Sequence, residues 1–95
     1  MPETLQLLTY EYVEDMAERR TPYRAGHLAA IERSREAGDL VIGGAAGDPP
    51  STGLLAFRGD SPAVAEAFAE EDPYVVAGLV VRRTIQPWTV VTPLP

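Results

Sequence analysis

The chain has 95 residues, of which 45% are hydrophobic and 23% charged, and this balance predicts one soluble globular domain spanning residues 1–95. Fourteen acidic and eight basic residues give a net charge of −6, which argues against nucleic acid or an anionic membrane surface as a partner. The sequence contains neither cysteine nor lysine, which excludes disulfides, thiolate nucleophiles, cysteine metal sites and Schiff-base formation by a lysine side chain.

The first part of the chain predicts a strand followed by a helix. Residues 5–13 are rich in leucine, aromatic and β-branched side chains and lack glycine and proline, which is typical of a strand. The acidic stretch 14–20 is predicted to be less ordered. Thr21 and Pro22 combine a capping hydroxyl with a proline suited to a first helical turn, so a helix is predicted to begin there. Gly38 supplies the left-handed residue that commonly follows a helix end.

The middle of the chain predicts a β-hairpin. Leu40–Ala46 and residues 54–58 are two apolar runs, and the segment 47–53 between them is rich in glycine and proline. Such a connection favours a turn between two neighbouring strands.

The last part of the chain begins its helix with the same residue types as the first helix. Ser61 and Pro62 again pair a capping hydroxyl with a proline, and the helix they open is predicted to stop before Pro73. Asp72 is predicted to cap a short helical turn over residues 73–77. Residues 79–91 predict a final strand, in which Pro87 favours a position at a sheet edge. The tail 92–95 is predicted to be loose.

The order of elements is therefore βαββαβ, which predicts a ferredoxin-like α+β fold. Right-handed crossovers place both helices on one face of a four-stranded antiparallel sheet. Several strands nevertheless carry adjacent apolar residues, such as Leu7-Leu8 and Val80-Val81, and therefore present apolar side chains on both faces. We predict that a second copy covers the other face, giving a homodimer joined through its sheets.

Two further exclusions concern location and cofactors. No apolar stretch approaches the roughly 20 residues that span a bilayer, and no basic start leads into an apolar signal segment. We therefore expect a cytoplasmic protein without a membrane partner. The single histidine, His27, cannot by itself build a multi-histidine metal site, and neither a metal nor another cofactor is expected.

His27 is the natural candidate for proton transfer, because histidine is the side chain that ordinarily changes charge near neutral pH. A structural role for a lone histidine on a helix is the alternative. Asp72 could orient the imidazole or serve only as a helix cap. Arg24, three residues before His27, could bind a substrate carboxylate or phenolate, or lie at the surface.

Four segments together resemble the YciI-like, or YCII-related, family. They are Arg24-Ala25-Gly26-His27-Leu28, Gly38-Asp39-Leu40 through Gly43-Gly44, Ser61 leading to Asp72-Pro73-Tyr74 and Ala77-Gly78-Leu79, and Gln86-Pro87-Trp88. The resemblance extends from about residue 5 to residue 91. It implies the dimeric α+β barrel built from ferredoxin-like protomers, and it pairs His27 with Asp72 as a catalytic dyad.

The resemblance also implies a type of chemistry. One family relative is a dehydrochlorinase of a chlorinated hydroxyquinol, and the wider superfamily includes muconolactone isomerases and cofactor-free monooxygenases. We therefore expect a cofactor-independent lyase or isomerase that removes a proton from a small cyclic or carbonyl compound. His27 and Asp72 would be catalytic, and Arg24 and Tyr74 would bind the substrate. The alternative is a dimeric module that binds a small molecule without catalysis.

Overall fold

The computed structural model describes residues 3–95, which form four strands, four α-helices and one short 3₁₀ helix. In chain order these elements are β1 (Glu3–Tyr12), α1 (Met16–Arg19), the 3₁₀ helix (Thr21–Tyr23), α2 (Arg24–Glu36), β2 (Leu40–Ala46), β3 (Thr52–Phe57), α3 (Ala63–Glu71), α4 (Pro73–Val76) and β4 (Val80–Val90). Within this part of the chain, no helix combines the length and apolarity needed to cross a bilayer.

The strands form one antiparallel sheet in the order β2-β3-β1-β4. In β1, Gln6 lies opposite Phe57 of β3, and Glu3 lies opposite Val90 of β4. Two right-handed βαβ units produce this order, so the predicted ferredoxin-like α+β fold is confirmed. β4 has a neighbour on one side only, which confirms the edge position predicted from Pro87.

The helices cover one face of the sheet. Alternate residues of a strand point to the same side, and this alternation places Leu8, Tyr10, Leu55 and Phe57 beneath the helices, each with 2% or less of its surface exposed. From outside the sheet the core also contains Met16, Ala65, Ala69, Tyr74 and Leu79. This shared core fixes the helices against the sheet.

The other face of the sheet carries no helix and is apolar in part. We call it the helix-free face. Ile42, Leu54 and Trp88 lie on it and remain 52%, 39% and 41% exposed. The prediction that apolar side chains occupy both faces is therefore confirmed.

The stretch 14–20, predicted to be less ordered, contains the helix α1, so that prediction is wrong. Met16 at the start of α1 is completely buried in the core. Burial of this one side chain holds the segment against the sheet, although its neighbours are acidic and largely exposed.

The start predicted for the first long helix is also corrected. Thr21 begins a 3₁₀ helix, and α2 begins at Arg24, with no side-chain cap at either start. A capping residue needs a non-helical backbone, whereas the chain leaves α1 through Arg20 in a right-handed helical conformation. The predicted left-handed residue after the helix is confirmed, since Gly38 has a φ of 83°.

The remaining boundaries differ by one or two residues. α3 begins at Ala63, and the hydroxyl of Ser61 accepts a long 3.4 Å hydrogen bond from the Ala63 backbone. β3 begins at Thr52 because this residue already pairs with Glu11 and Ala46. The predicted hairpin between β2 and β3 is confirmed.

Candidate active site

The site forms where α2 packs against α4. His27 is the one buried residue of α2, and it lies in the first turn of that helix. Gly26 precedes it, and a Cβ atom built on Gly26 would lie 3.1 Å from Cγ of Pro73. The absent side chain at Gly26 therefore permits the close approach that brings His27 against the start of α4.

Asp72 connects α3 to α4 and points into the protein. Its backbone is extended, with φ −61° and ψ 123°, as expected for a residue that precedes a proline. Its Oδ1 accepts a 3.0 Å hydrogen bond from the backbone N–H of Tyr74, which confirms the predicted cap on the short helix. The residue is completely buried.

The same carboxylate contacts His27 and Tyr10. Nδ1 of His27 lies 2.8 Å from Oδ1 of Asp72, and the hydroxyl of Tyr10 donates to Oδ2 at 2.8 Å. An ionised carboxylate only accepts hydrogen bonds, so Nδ1 of His27 carries the hydrogen. Asp72 thus serves as both cap and histidine partner, a combination that its two oxygens allow.

Burial and negative charge raise the pKa of both tyrosines of β1, Tyr10 and Tyr12. Burial and, next, the Asp72 carboxylate raise the pKa of Tyr10 far above its ordinary value of 10.0. Burial also raises the pKa of Tyr12 to about 12, with Tyr74 and Asp72 adding to the increase. Both hydroxyls therefore stay protonated at neutral pH, so Tyr10 keeps the hydrogen that it donates to Asp72, and Tyr12 keeps a hydrogen to donate.

Tyr74 forms the floor beneath the histidine. Its ring stacks on the imidazole of His27, with centroids 3.8 Å apart and planes 11° apart. Tyr12 meets Tyr74 edge-on, with centroids 6.2 Å apart. The hydroxyl of Tyr74 is buried and has no hydrogen-bond partner within residues 3–95. This hydroxyl is a free donor beside the imidazole.

A cavity of about 180 Å³ opens beside His27, and we call it the His27 cavity. Nε2 of His27 has no protein hydrogen-bond partner within the described part of the chain and is not fully buried. The polar side chains of the wall are Tyr12, Arg20, Arg24, His27 and Tyr74, and the rest of the wall comprises Leu28, Ile31, Leu55 and the segment Gly43-Gly44-Ala45. The cavity thus combines a base, phenolic donors, guanidinium groups and an apolar wall.

The structure brings the four predicted site residues together. His27, Arg24 and Tyr74 line the cavity, and Asp72 lies behind His27 without lining it. Among the 93 residues described, no cluster of three or more histidine or carboxylate side chains is arranged to hold a metal ion.

Sequence reasoning missed Tyr10, Tyr12 and Arg20. The alternation of Leu8, Tyr10 and Tyr12 predicts one shared face of β1, which is a signal for burial but not for a hydroxyl contact with Asp72. Arg20 fell in the stretch predicted to be less ordered. Its spacing of four residues from Arg24 was the available signal that both could lie on one side of a helical segment.

A second, larger depression lies on the helix-free face. It has a volume of about 410 Å³ and is lined by eight residues, among them Leu7, Ile42, Leu54 and Trp88. None of the eight has an ionisable side chain, so this depression offers no acid or base. Its lining shares Gly43, Gly44 and Ala45 with the His27 cavity.

Comparison with known proteins gives one family and a consistent set of relatives. Residues 4–89 match the family model described as the YCII-related domain. Protein YciI of Escherichia coli O6:H1 and that of Shigella flexneri are each 32% identical to this chain over 89 residues, covering 81% of this chain and 91% of the relative.

A solved structure shares the fold. It is the 5-chloro-2-hydroxyhydroquinone dehydrochlorinase (TftG) of Burkholderia phenoliruptrix AC1100 in complex with 2,5-dihydroxybenzoquinone. The TM-score is 0.73 with 23% sequence identity, and the alignment covers 88% of this chain and 92% of the neighbour. At this identity the likeness establishes the fold.

Proposed function

Because the chain belongs to the YCII-related family, we propose that it is a cofactor-independent enzyme that uses His27 and Asp72 to remove a proton from a small cyclic or carbonyl compound. The reaction class is that of a lyase, such as a dehydrochlorinase, or of an isomerase. The cytoplasmic location remains a prediction from the sequence.

The observation that carries this proposal is the distance of 2.8 Å between Nδ1 of His27 and Oδ1 of Asp72. A carboxylate that accepts a hydrogen bond from Nδ1 favours the tautomer in which the neutral ring presents its basic lone pair at Nε2. His27 lines the cavity, and Tyr74 holds the plane of the ring by stacking. A positioned base of this kind contributes about 10²–10⁴ to the rate of a proton transfer.

The chemistry follows from this arrangement. Nε2 takes a proton from carbon next to a carbonyl group, and the C–H electron pair moves into the carbonyl to give an enolate. In a hydroxylated ring the same kind of enolate forms from the keto tautomer, whose chlorine-bearing carbon is tetrahedral, when Nε2 takes the proton of a conjugated hydroxyl. Asp72 stabilises the imidazolium that forms. The enolate either expels a leaving group such as chloride from the neighbouring carbon or regains the proton at another carbon, which yields an isomer.

Arg24 and Tyr74 are the proposed substrate-binding residues. Both line the cavity, and the Tyr74 hydroxyl has no partner among the residues described. Each side chain donates hydrogen bonds, so each can stabilise negative charge that develops on a substrate oxygen.

The first experiment measures chloride release from 5-chloro-2-hydroxyhydroquinone, the compound in the name of the structural neighbour. We expect His27→Ala to lower the rate by about 10²-fold or more while leaving the far-ultraviolet circular dichroism unchanged. Unchanged chloride release in this variant would refute the mechanism. Saturable binding of 2,5-dihydroxybenzoquinone, with no turnover by the native chain, would favour the binding module instead.

A second measurement tests the dyad without any substrate. The ¹⁵N chemical shifts of the ring nitrogens report which nitrogen of His27 carries the hydrogen, and this is the chain's only histidine. We expect the native chain to hold the hydrogen on Nδ1 and Asp72→Asn to shift the population towards Nε2. The same tautomer in both proteins would remove Asp72 from the mechanism.

We also propose that the protein is a homodimer joined through the helix-free face. The support is the exposure of Ile42, Leu54 and Trp88 beside a depression of about 410 Å³. Contiguous apolar surface of this kind marks association sites. In a two-fold symmetric dimer, the same face of a second copy would cover it.

A further inference from the structure

Two arginines without an ion-pair partner lie on the wall of the His27 cavity. In the described part of the chain, Arg19 pairs with Asp15, Arg35 with Glu32 and Arg58 with Glu3. The other five arginines, Arg20, Arg24, Arg33, Arg82 and Arg83, pair with no carboxylate there, and of these five Arg20 and Arg24 line the His27 cavity. Their positive charge is therefore not neutralised by the protein itself.

Local structure explains why both side chains reach one cavity. Arg20 follows α1 with a right-handed helical backbone, the 3₁₀ helix comes next, and Arg24 is the first residue of α2. Arg20 and Arg24 thus flank one short turn of chain, and both side chains line the same cavity. Both guanidinium groups counteract the rise in the pKa of Tyr12, which indicates that their positive field reaches the Tyr12 hydroxyl in the same cavity.

The rest of the wall indicates the body of the ligand. Leu28, Ile31 and Leu55 provide apolar contacts on the cavity wall. A cavity of roughly 150 Å³ holds one benzene molecule, so the 180 Å³ here suits a single six-membered ring. A guanidinium group matches the two oxygens of a carboxylate with parallel hydrogen bonds.

We propose that the substrate is a single-ring compound bearing a carboxylate, and that Arg20 and Arg24 together bind that carboxylate beside His27. The inference rests on the proposed function, because it names the substrate class of the same site. It adds Arg20 as a binding residue and predicts a carboxylate on the preferred substrate, whereas 5-chloro-2-hydroxyhydroquinone carries hydroxyl groups but no carboxylate and is a surrogate that tests His27 alone. Nε2 of His27 then faces the ring carbons while the guanidinium groups hold the charged substituent.

The test compares the binding of benzoate with that of benzamide, a neutral molecule of the same shape, by shifts in ¹H–¹⁵N spectra of the full chain. We expect benzoate to bind at least about tenfold more tightly at low salt. The double variant Arg20→Gln/Arg24→Gln is expected to lose this preference. Arg19→Gln is the matched control, since Arg19 pairs with Asp15 and is not among the residues that line the cavity, and it is expected to keep the preference.

Three results would overturn the inference. They are no benzoate binding by the native chain, equal affinity for benzoate and benzamide, and an unchanged preference in the double variant. A nitrophenolate, which is anionic near neutral pH, is the third ligand, and tighter binding of this phenolate than of benzoate at the same pH would also overturn the carboxylate assignment.

The two proposals fail separately. Benzoate binding requires no turnover, so an arginine-dependent preference together with unchanged chloride release in His27→Ala leaves the anion site intact and refutes the base. If His27→Ala loses chloride release and the native chain shows no preference for benzoate, the result supports His27 as the base and refutes the anion site.

Discussion

Tyr10 is the residue through which the sheet supports the His27–Asp72 pair. It is completely buried, and its hydroxyl donates to the oxygen of Asp72 that His27 does not use. Both oxygens of Asp72 therefore have donors. Oδ2 accepts from Tyr10 on β1, and Oδ1 faces His27 on α2 and accepts from the backbone N–H of Tyr74 on α4. A carboxylate held in this way has little freedom to rotate, which keeps the imidazole in one orientation.

Replacing Tyr10 with phenylalanine is expected to destabilise the fold by about 1.5–3 kcal/mol, because a buried carboxylate oxygen loses its donor. Urea unfolding measures this loss. Tyr23→Phe is the control, since Tyr23 is 40% exposed, and it is expected to change the free energy of unfolding by less than about 0.5 kcal/mol. Equal stability of the Tyr10 variant and the native chain would show that the hydrogen bond contributes nothing net.

The tyrosines of β1 also predict how stability depends on alkaline pH. The pKa of Tyr12 is raised from 10.0 to about 12 in the folded chain, mainly by burial. The unfolded chain therefore loses this proton at lower pH than the folded chain does. The resulting stability is fully present below pH 10 and is lost as pH rises towards 12.

We expect the free energy of unfolding to fall across this range, with Tyr10 extending the fall to still higher pH. Urea unfolding at several pH values measures the slope, and Tyr12→Phe is expected to make it shallower. An identical slope in the variant would contradict the assignment to Tyr12.

Part of this site was accessible from the sequence. His27 and Asp72 were identified as candidates by residue type, and the family resemblance joined them across 45 positions. The hydroxyl contact of Tyr10 was not accessible, because its partner lies 62 residues away and aromatic residues that alternate along a strand first indicate a core.

At the scale of elements, the contact between α2 and α4 places the imidazole. A Cβ at Gly26 would lie 3.1 Å from Cγ of Pro73, so a side chain at position 26 would require the two helices or the proline ring to shift by a few tenths of an ångström. Capping residues and prolines predicted both helical segments, whereas the distance between the two helices depends on side-chain packing that a single sequence does not specify.

Gly26→Val is expected to destabilise the fold by about 1–3 kcal/mol, because the branched side chain forces α2 away from α4. Ala25→Val is the control for a β-branched side chain, since residue 25 is exposed on the same helix. Glycine is a poorer helix former than valine and alanine a better one, so helix propensity alone would make Gly26→Val the more stable of the two variants. Urea unfolding measures both variants, and ¹⁵N spectra report whether the Nδ1 hydrogen of His27 is retained. A Gly26→Val variant as stable as the native chain would show that the contact with Pro73 is not limiting.

The element boundaries show where local signals fail. Gly38 and Asp72 behave as predicted because their roles depend on local backbone geometry. The segment 14–20 does not, because burial of Met16 in the core is a tertiary contact. The same wrong prediction left Arg20, the last residue of that segment, out of the candidate site.

At the scale of the whole molecule, the helix-free face predicts association. Leu54 lies near the centre of this face on β3, and 39% of its surface is exposed. Leu54→Asp is expected to convert a particle of twice the chain mass of 10.3 kDa into a monomer, because it places a charge in the proposed apolar contact. Light scattering coupled to size-exclusion chromatography measures the mass.

Val76→Asp is the control for this prediction. Val76 is 73% exposed on α4, away from the helix-free face, and the variant is expected to keep the native mass. A monomeric native chain, or a Leu54→Asp variant that keeps the larger mass, would contradict the proposed sheet-to-sheet dimer.

The segment Gly43-Gly44-Ala45 lines both the His27 cavity and the depression on the helix-free face, and it acts as a wall one backbone thick. Its side chains are no larger than a methyl group, so little material separates a ligand on one side from a second copy on the other. If the second copy changes the affinity of the cavity for its ligand, the ligand changes the affinity of the two copies for each other by the same factor. We therefore expect the apparent affinity for a cavity ligand to change on dilution, as the second copy leaves.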